Sequence, residues 1–228
     1  MMRRNIALIP AAGVGARFGA GKPKQYVEIN GKTVLQHTIE IFEQHSRIDL
    51  IAVILSPEDS FFQTALPEKV RVFRVGGASR AETVRNGVST LLEQGLAEAQ
   101  DNILVHDAAR CCLPAEALTR LLDEAGENDE GGILAIPVAD TLKRSDGSHH
   151  IDETVARAGL WQAQTPQLFQ TDLLHRALSV DDLSKITDEA SAVEKLGIRP
   201  RLVQGDTRNL KLTLPQDEYI VRLLLKAV

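Results

Sequence analysis

The chain has 228 residues, 43% of them apolar and 25% charged, a balance typical of a globular protein with a sizeable core. Lys and Arg number 26 against 31 Asp and Glu, so the formal net charge of −5 predicts no general affinity for nucleic acid or anionic membranes. The sequence has no window of ~20 apolar residues and no signal-peptide core, so we expect no membrane span. Its two cysteines, Cys111 and Cys112, are adjacent, so we expect no disulfide framework and a cytoplasmic protein.

Short apolar runs that predict β-strands alternate with longer segments of helical periodicity. The strand-like runs are residues 5–10, 50–55, 70–75, 102–107 and 131–138. The helical segments between them are 33–44 and 80–93. Because the strand-like runs are apolar without alternation, we expect both faces of the sheet to be buried. The predicted fold class is therefore α/β, with a mostly parallel sheet flanked by helices and ligands at the carboxyl ends of its strands.

A polar segment after residue 138 predicts a β-hairpin arm over residues 139–159. The turn signal Ser145-Asp146-Gly147 separates two stretches that contain β-forming residues. Such an arm buries too little surface to be stable alone, so we expect it to pack on a partner subunit. The remaining predicted elements are helices at 170–180 and 187–196, a strand at 199–205, an extended piece at 209–213 and a helix from about Asp217. The simplest organisation is a single domain, 1–228, with the arm as an excursion.

The loop after the first strand matches neither of two familiar phosphate-binding motifs. A dinucleotide fingerprint would require glycine where the chain has Phe18, and a P-loop would require glycine and a hydroxyl where it has Ala16 and Pro23. What remains is a run of small residues, 11–15, followed by the cations Arg17, Lys22 and Lys24. Small side chains let a ligand approach the main chain, and amides with cations suit the polyphosphate of a nucleotide. The alternative is that the glycines serve a turn and the cations are solvated.

Three other predicted strand ends carry residues that suit the same ligand. Asp107 and Arg110 follow the strand at 102–107, where an aspartate can hold Mg²⁺ on phosphate oxygens. Gly76-Gly77 precede Arg80 and Thr83 at a predicted helix start, and Lys211 stands in the extended piece near the C-terminus. Each has a plain alternative as a cap or a surface residue. Their convergence at one sheet edge favours a binding site.

Seven segments make the chain resemble the 2-C-methyl-D-erythritol 4-phosphate cytidylyltransferase family of the non-mevalonate isoprenoid pathway. They are AAGVGARFGAGKPKQY (11–26), GGASRAETV (76–84), VHDAAR (105–110), DTLKR (140–144), RAGLWQAQTPQLF (157–169), TDEAS (187–191) and NLKLTLPQD (209–217). The resemblance implies a Rossmann-like nucleotidyltransferase fold, a β-arm that interlocks two subunits in a homodimer, CTP as nucleotide and Mg²⁺ as metal. The chain departs from the family in having Cys111 where proline is common and Thr83 where serine is common.

The resemblance also implies roles for individual residues. Arg17 and Lys24, with Mg²⁺, are expected to grip the triphosphate, while Lys211 shares the charge of the α-phosphate. Asp107 is expected to contact the metal or substrate hydroxyls. Arg157 from the neighbouring subunit's arm is expected to bind the acceptor phosphate near Thr141 and Arg110, and Thr187 to face the methylerythritol portion. The residues expected to frame the cytidine are Ala11, Ala12, Gly13, Gly77, Ala78 and Thr83.

The implied reaction joins 2-C-methyl-D-erythritol 4-phosphate to the α-phosphate of CTP and releases pyrophosphate. A phosphate nucleophile is already ionised near neutral pH, its second pKa being ~6, so no general base is required. One alternative is a cytidylyltransferase for another polyol phosphate, such as ribitol 5-phosphate. A second is a nucleotide-binding regulator without catalysis, and a third, disfavoured by the failed fingerprint, is a nicotinamide-dependent oxidoreductase.

Overall fold

The structure is a computed structural model that describes residues 3–13, 22–63 and 66–226. Within these residues the chain forms eleven strands and six α-helices. The strands are β1 (Asn5–Pro10), β2 (Glu28–Ile29), β3 (Lys32–Thr33), β4 (Leu50–Ile54), β5 (Val70–Phe73), β6 (Asn102–Val105), β7 (Gly132–Pro137), β8 (Leu142–Ser145), β9 (Ile151–Val155), β10 (Trp161–Gln170) and β11 (Arg201–Gln204). The helices are α1 (Val34–Glu43), α2 (Arg80–Glu93), α3 (Ala115–Ala125), α4 (Thr171–Leu178), α5 (Glu189–Glu194) and α6 (Asp217–Leu224).

Seven strands form the central sheet, in the order β11-β7-β10-β6-β1-β4-β5. The pairs β1/β4, β1/β6, β4/β5 and β7/β11 are parallel, and only β10 runs antiparallel to its neighbours β6 and β7. The predicted α/β class with a mostly parallel sheet is confirmed. Parallel pairing matters for the site because it brings the carboxyl ends of β1, β4, β5 and β6 to one edge.

Both faces of the sheet are buried, as the unalternating strands predict. Along β1, Ala7 and Ile9 belong to an apolar cluster with residues of α1 and α3, whereas Ile6 and Leu8 belong to a second cluster with residues of α2 and α4. Successive side chains of a strand point to opposite faces, so each strand between two helical layers has apolar residues at every position. The core is therefore two layers, one on each side of the sheet.

Two predicted helices begin at side-chain caps. The Thr33 hydroxyl accepts a hydrogen bond from the backbone N–H of Gln36, whose side chain accepts one from the N–H of Thr33, so α1 starts with a capping box. Ser79 caps α2 by accepting from the backbone N–H of Glu82 at 3.1 Å. These caps fix where α1 and α2 start, and α2 starts at the edge that carries the site.

The sequence analysis did not predict α3 or β10. The periodic Leu118, Leu121 and Leu122, all buried, are a signal that could have indicated α3. β10 contains Pro166, and a proline within an apolar run is typical of an edge strand or of no strand. It lies in the middle of the sheet instead, where β7 pairs with it on both sides of the proline and β6 pairs with it after the proline.

The predicted hairpin is present as an exposed antiparallel pair, β8 and β9, outside the central sheet. Arg144 of β8 contacts Glu153 of β9 at 2.6 Å, and Ile151 is 67% exposed. The bounds 139–159 and the single-domain organisation stay predictions. In the part of the chain that the structure describes, no helix combines the length and the apolar character that crossing a membrane requires.

Candidate functional site

A cleft of about 440 Å³ opens at the carboxyl ends of β1, β4, β5 and β6. Nine of the fourteen predicted site residues line it: Ala11, Ala12, Gly13, Lys24, Gly77, Ala78, Thr83, Asp107 and Lys211. It is also lined by Gln25, Ser56 and Arg80, to which the sequence analysis gave no role. Arg17, predicted to grip the triphosphate, lies outside the described residues.

Residues 11–13, directly after β1, are held in place by one buried glutamine. The Gln25 side-chain amide donates to the carbonyl oxygens of Ala11 and Gly13, both at 2.9 Å, and the Ala11 N–H donates to Ile54 O of β4. From the sequence, Gln25 is only one residue of the segment 11–26. Its burial beside the small residues after β1 reveals its role. By tying down the two carbonyls, it fixes the course of the main chain at the floor of the cleft.

Two side chains in the first turn of α2 hold two backbone amides of the loop after β5. Gly77 N–H donates to the Thr83 hydroxyl at 3.1 Å, and Ala78 N–H donates to a carboxylate oxygen of Glu82 at 2.8 Å. The Thr83 hydroxyl in turn donates to Ser79 O at 2.9 Å. Thr83, predicted to frame the cytidine, thus also supports the turn that forms this wall of the cleft.

Gly76 is the point where this turn approaches the loop after β1. A Cβ at Gly76 would lie 2.7 Å from Leu55 O and would also overlap the Cβ of Ala12. We expect Gly76→Ala to destabilise the fold by about 1–3 kcal/mol, because backbone must move to admit the methyl group. The measurement is the thermal unfolding midpoint.

The matched control for this prediction is Gly13→Ala. Among the described residues, none lies within 4 Å of a Cβ built on Gly13, so its melting temperature should match the parent's. If the Gly76→Ala and Gly13→Ala variants have the same melting temperature, the two loops are not packed as described.

Asp107 is the centre of a cluster of charged side chains. One carboxylate oxygen, Oδ1, lies 2.8 Å from Arg80 Nε, and the other, Oδ2, lies 2.8 Å from Lys211 Nζ and 3.8 Å from Arg110 Nε. Burial alone would raise the pKa of Asp107, but Arg80 and then Lys211 outweigh it and hold that pKa well below its usual range. Asp107 is therefore an ionised carboxylate at neutral pH.

The neighbouring His106 is structural. Its ring is fully buried outside the cleft lining, with Nδ1 3.0 Å from the Thr165 hydroxyl and Nε2 3.0 Å from Arg110 O. A carbonyl only accepts, so Nε2 carries the proton and Nδ1 accepts from Thr165. Burial lowers the pKa of His106 to about 4, which leaves the ring neutral at pH 7. The ring thereby fixes the loop that carries Asp107.

The segment carrying Lys211 is tied to the loop after β6. Leu212 N–H donates to Ala109 O at 2.9 Å, and Arg110 Nη1 donates to Asn209 O at 2.6 Å. Lys24 Nζ donates to Leu212 O at 3.1 Å from the opposite side. These contacts bring two cations that are 187 positions apart in the sequence, Lys24 and Lys211, to the same cleft.

Four predicted acceptor-site residues do not line this cleft. Arg110 is engaged by Asp107 and Asn209 beneath it. Thr141 and Arg157 are exposed at the base of the arm, and Thr187 is exposed just before α5. Their assignments stay predictions, because the acceptor site expected from them includes an arm from another subunit.

The residues of the cleft fit one Mg²⁺ that is shared with a nucleotide. Among the described residues, no cluster of three or more His, Cys, Asp or Glu could hold a metal ion by itself. Asp107 supplies a single ionised carboxylate, and Mg²⁺ is usually held by one or two carboxylates together with substrate phosphates. The donor set is therefore that of a shared ion rather than an all-protein cage.

Comparisons with known proteins agree on one family. A sequence model of the 2-C-methyl-D-erythritol 4-phosphate cytidylyltransferase family matches residues 5–227. The chain is 71% identical to the Neisseria meningitidis protein of that name, over 100% of both chains. A crystal structure described as 4-diphosphocytidyl-2C-methyl-D-erythritol synthase is 63% identical over 99% of both chains, with a TM-score of 0.87. The Francisella tularensis cytidylyltransferase structure is 32% identical, covers 97% of this chain and 99% of its own, and has a TM-score of 0.82.

Proposed function

Since the chain belongs to the 2-C-methyl-D-erythritol 4-phosphate cytidylyltransferase family, we propose that the cleft beside β1, β4, β5 and β6 is where it transfers a cytidylyl group from CTP to 2-C-methyl-D-erythritol 4-phosphate. The enzyme is a CTP-dependent nucleotidyltransferase of isoprenoid precursor synthesis, and its products are 4-diphosphocytidyl-2-C-methyl-D-erythritol and pyrophosphate. One observation carries the proposed location: Lys24 and Lys211 line the same cleft as the small residues after β1 and β5.

The proposed chemistry needs positioning and charge neutralisation rather than a protein nucleophile. The acceptor phosphate attacks the α-phosphorus of CTP, a new P–O bond forms, and the bond to the pyrophosphate leaving group breaks. Among the described residues that line the cleft there is no histidine or cysteine. Since the attacking phosphate is already ionised, none is required.

We assign the charge neutralisation to three cations. Lys24 and Arg17 hold the β- and γ-phosphates and the departing pyrophosphate, and Lys211 stabilises charge that develops on the α-phosphate oxygens. To reach the α-phosphate, Lys211 exchanges its contact with Asp107 Oδ2 for one with the substrate. The Arg80 contact leaves Asp107 paired during that exchange.

Mg²⁺ is the proposed metal, with Asp107 as its protein ligand. When bound, the ion supplies positive charge between phosphate oxygens and so offsets the repulsion between two polyanions. The support is the single ionised carboxylate that lines the cleft. The small residues 11–13 and 77–78 are proposed to admit the cytidine close to the main chain.

We further propose that the enzyme is a cytoplasmic homodimer whose arms complete each other's sites. The exposed Ile151 and the exposed base of the arm, with Thr141 and Arg157, are surfaces that a second subunit can cover. In this arrangement Arg157 of the partner subunit binds the acceptor phosphate. Thr187 of the subunit that supplies the cleft faces the methylerythritol portion.

The test of the proposed function is pyrophosphate release from each of the four nucleoside triphosphates, with and without acceptor. We expect release from CTP only, dependent on 2-C-methyl-D-erythritol 4-phosphate and on Mg²⁺. Faster release with ribitol 5-phosphate would assign a different acceptor. Release without any acceptor, or none at all, would contradict the proposal.

Replacing Arg157 with alanine is expected to raise KM for the acceptor and to change kcat little. Arg157 is proposed to contact acceptor phosphate oxygens other than the attacking one, so it binds the ground and transition states alike and its loss appears in KM. Steady-state kinetics with varied acceptor measures this. Arg144→Ala, which removes an exposed arginine of the same arm paired with Glu153, is the control and should leave KM unchanged.

A mixed dimer tests whether the arm serves the other subunit. Subunits that carry Arg157→Ala are combined with subunits that carry Lys211→Ala, and turnover is measured at an acceptor concentration far below the raised KM of the Arg157→Ala enzyme, where that enzyme alone is slow. If the arms are exchanged, one site of each mixed dimer has both an intact cleft and an intact arm, and activity returns on mixing. If each arm serves its own cleft, no intact site exists and mixing restores nothing.

A further inference from the structure

Arg80 lines the cleft but enters the proposed function only as a charge partner of Asp107. It is the first residue of α2, and its side chain is 30% exposed at the cleft wall. Its Nε donates to Asp107 Oδ1 at 2.8 Å, while Nη1 and Nη2 donate to the two carboxylate oxygens of Glu189 at 2.6 and 3.0 Å. All three nitrogens of the guanidinium thus have a carboxylate partner. Such a fork fixes the plane of the group as well as its position.

Arg80 bridges Asp107 and Glu189, and Glu189 is the end of this bridge that is fixed in the core. Its side chain is 1% exposed, and it is the first residue of α5. The start of α5 is tied to β10, because Gln167 donates to Asp188 Oδ2 and accepts from Ala190 N–H, both at 2.8 Å. Although burial opposes the charge on Arg80, Glu189 and then Asp107 hold the pKa of Arg80 above its usual range. Arg80 is therefore a permanent cation with a rigid anchor.

The two oxygens of Asp107 have different partners. Oδ1 is held by Arg80, whereas Oδ2 contacts Lys211, whose side chain is 42% exposed. The bond to Oδ1 restrains rotation of the carboxylate, so Oδ2 keeps facing the cleft when a substrate phosphate takes Lys211 away. Without Arg80, the carboxylate would be free to turn toward Arg110 on its buried side.

We propose that Arg80 is a positioning residue for cytidylyl transfer, anchored by Glu189 and acting through Asp107, whose Oδ2 it keeps directed into the cleft. The proposal rests on the proposed function, since it assumes that Asp107 serves substrate or metal there. Three of its five N–H donors already hold carboxylate oxygens, so the guanidinium is committed to holding Asp107 and Glu189.

The test uses a variant that removes the Arg80–Glu189 pair without changing the net charge of the protein. Arg80→Gln with Glu189→Gln deletes one positive and one negative charge, so no unpaired buried charge remains to unfold the protein. We expect kcat to fall about 10- to 100-fold, the range typical of residues that orient a functional carboxylate. KM for CTP and the CTP Kd, measured by calorimetry in metal-free buffer, should stay near parent values. Asp172→Asn with Arg176→Gln removes an exposed ion pair of α4 and is the charge-matched control.

A thermodynamic cycle separates positioning from direct contact. The double substitution Arg80→Gln, Glu189→Gln is added to the Asp107→Asn variant. If Arg80 acts through Asp107, the double substitution should lower kcat little further in that variant. The proposal is overturned if the double substitution lowers kcat by the same factor in the parent and in the Asp107→Asn variant. Arg80→Lys keeps Glu189 compensated but loses the fork, so it serves as a second variant, and a parent-like kcat in it would also contradict the proposal.

The outcomes distinguish this proposal from the function on which it rests. If the parent and the α4 control release no pyrophosphate from CTP and acceptor, the proposed function fails. If they do, and the Arg80→Gln, Glu189→Gln variant turns over as fast as the α4 control, only the role of Arg80 fails.

Discussion

Lys211→Ala is expected to lower kcat by ~10²–10³, equivalent to ~3–4 kcal/mol of transition-state stabilisation. The proposed contact strengthens as charge develops on the α-phosphate, so its loss appears in kcat more than in KM for CTP. The variant should remain folded, because Asp107 keeps Arg80 as its partner when Lys211 is removed. Pyrophosphate release at saturating CTP and acceptor measures kcat, and circular dichroism checks the fold.

The control for this prediction is Lys32→Ala. Lys32, in β3, also carries an ammonium paired with one carboxylate, that of Glu40 in α1, but this pair is on the exposed surface of the protein. Its kcat should equal the parent's. A Lys211→Ala enzyme as fast as the Lys32→Ala enzyme would remove Lys211 from the proposed role.

Lys24→Ala is expected to cost a similar ~10²–10³ in kcat, for two combined reasons. The substitution removes positive charge proposed to hold the departing pyrophosphate. It also removes the hydrogen bond from Lys24 Nζ to Leu212 O, which holds the segment that carries Lys211. Single-turnover measurements with excess enzyme would show that the slow step is the chemical one.

Lys22→Ala is the matched control for Lys24. Lys22 Nζ lies 3.8 Å from Glu28 Oε1, and Lys22 is not among the cleft-lining residues that the structure describes. Its removal should therefore change kcat little. Equal losses for Lys22 and Lys24 would mean that the charge of the loop matters and not the placement of either amine.

Combining Lys24→Ala with Lys211→Ala should cost less than the product of the two single losses. Lys24 and Lys211 are coupled through the segment that carries Lys211, because Lys24 Nζ donates to the carbonyl of the next residue, Leu212. Substitutions coupled through one hydrogen-bonded segment are not additive, since the first already disturbs the position of the group that the second removes. Fully multiplicative losses would indicate that the two amines act independently.

Local sequence patterns were sufficient for most of the fold. Residues 6–9 and 50–55 are apolar at every position, because helices pack on both faces of the strands that they form. The start of α2 follows from Ser79, whose side chain caps it whatever the rest of the chain does. β10 was missed because its proline and its glutamines are disfavoured locally and are compensated only by the neighbouring strands.

The candidate site was predicted unevenly for a related reason. Lys24, Asp107 and Lys211 were recognised because they follow strands or lie in motifs, and the structure brings all three to one cleft. Gln25 and Glu189 were not, because their roles depend on hydrogen bonds to residues far away in sequence or to main-chain carbonyls. Arg80 was noted only as part of a turn.

The sequence by itself determined the α/β class, the positions of α1 and α2 and the chemical character of the site, since strand burial, helix caps and a small-residue loop with cations are properties of adjacent residues. Only the tertiary structure decided that Asp107 is shared between Arg80 and Lys211, that Arg80 is anchored on Glu189, and that β10 lies inside the sheet. The physical reason is that hydrogen bonds and ion pairs act over about 3 Å in space. Segments distant in sequence reach that range only after the sheet has assembled.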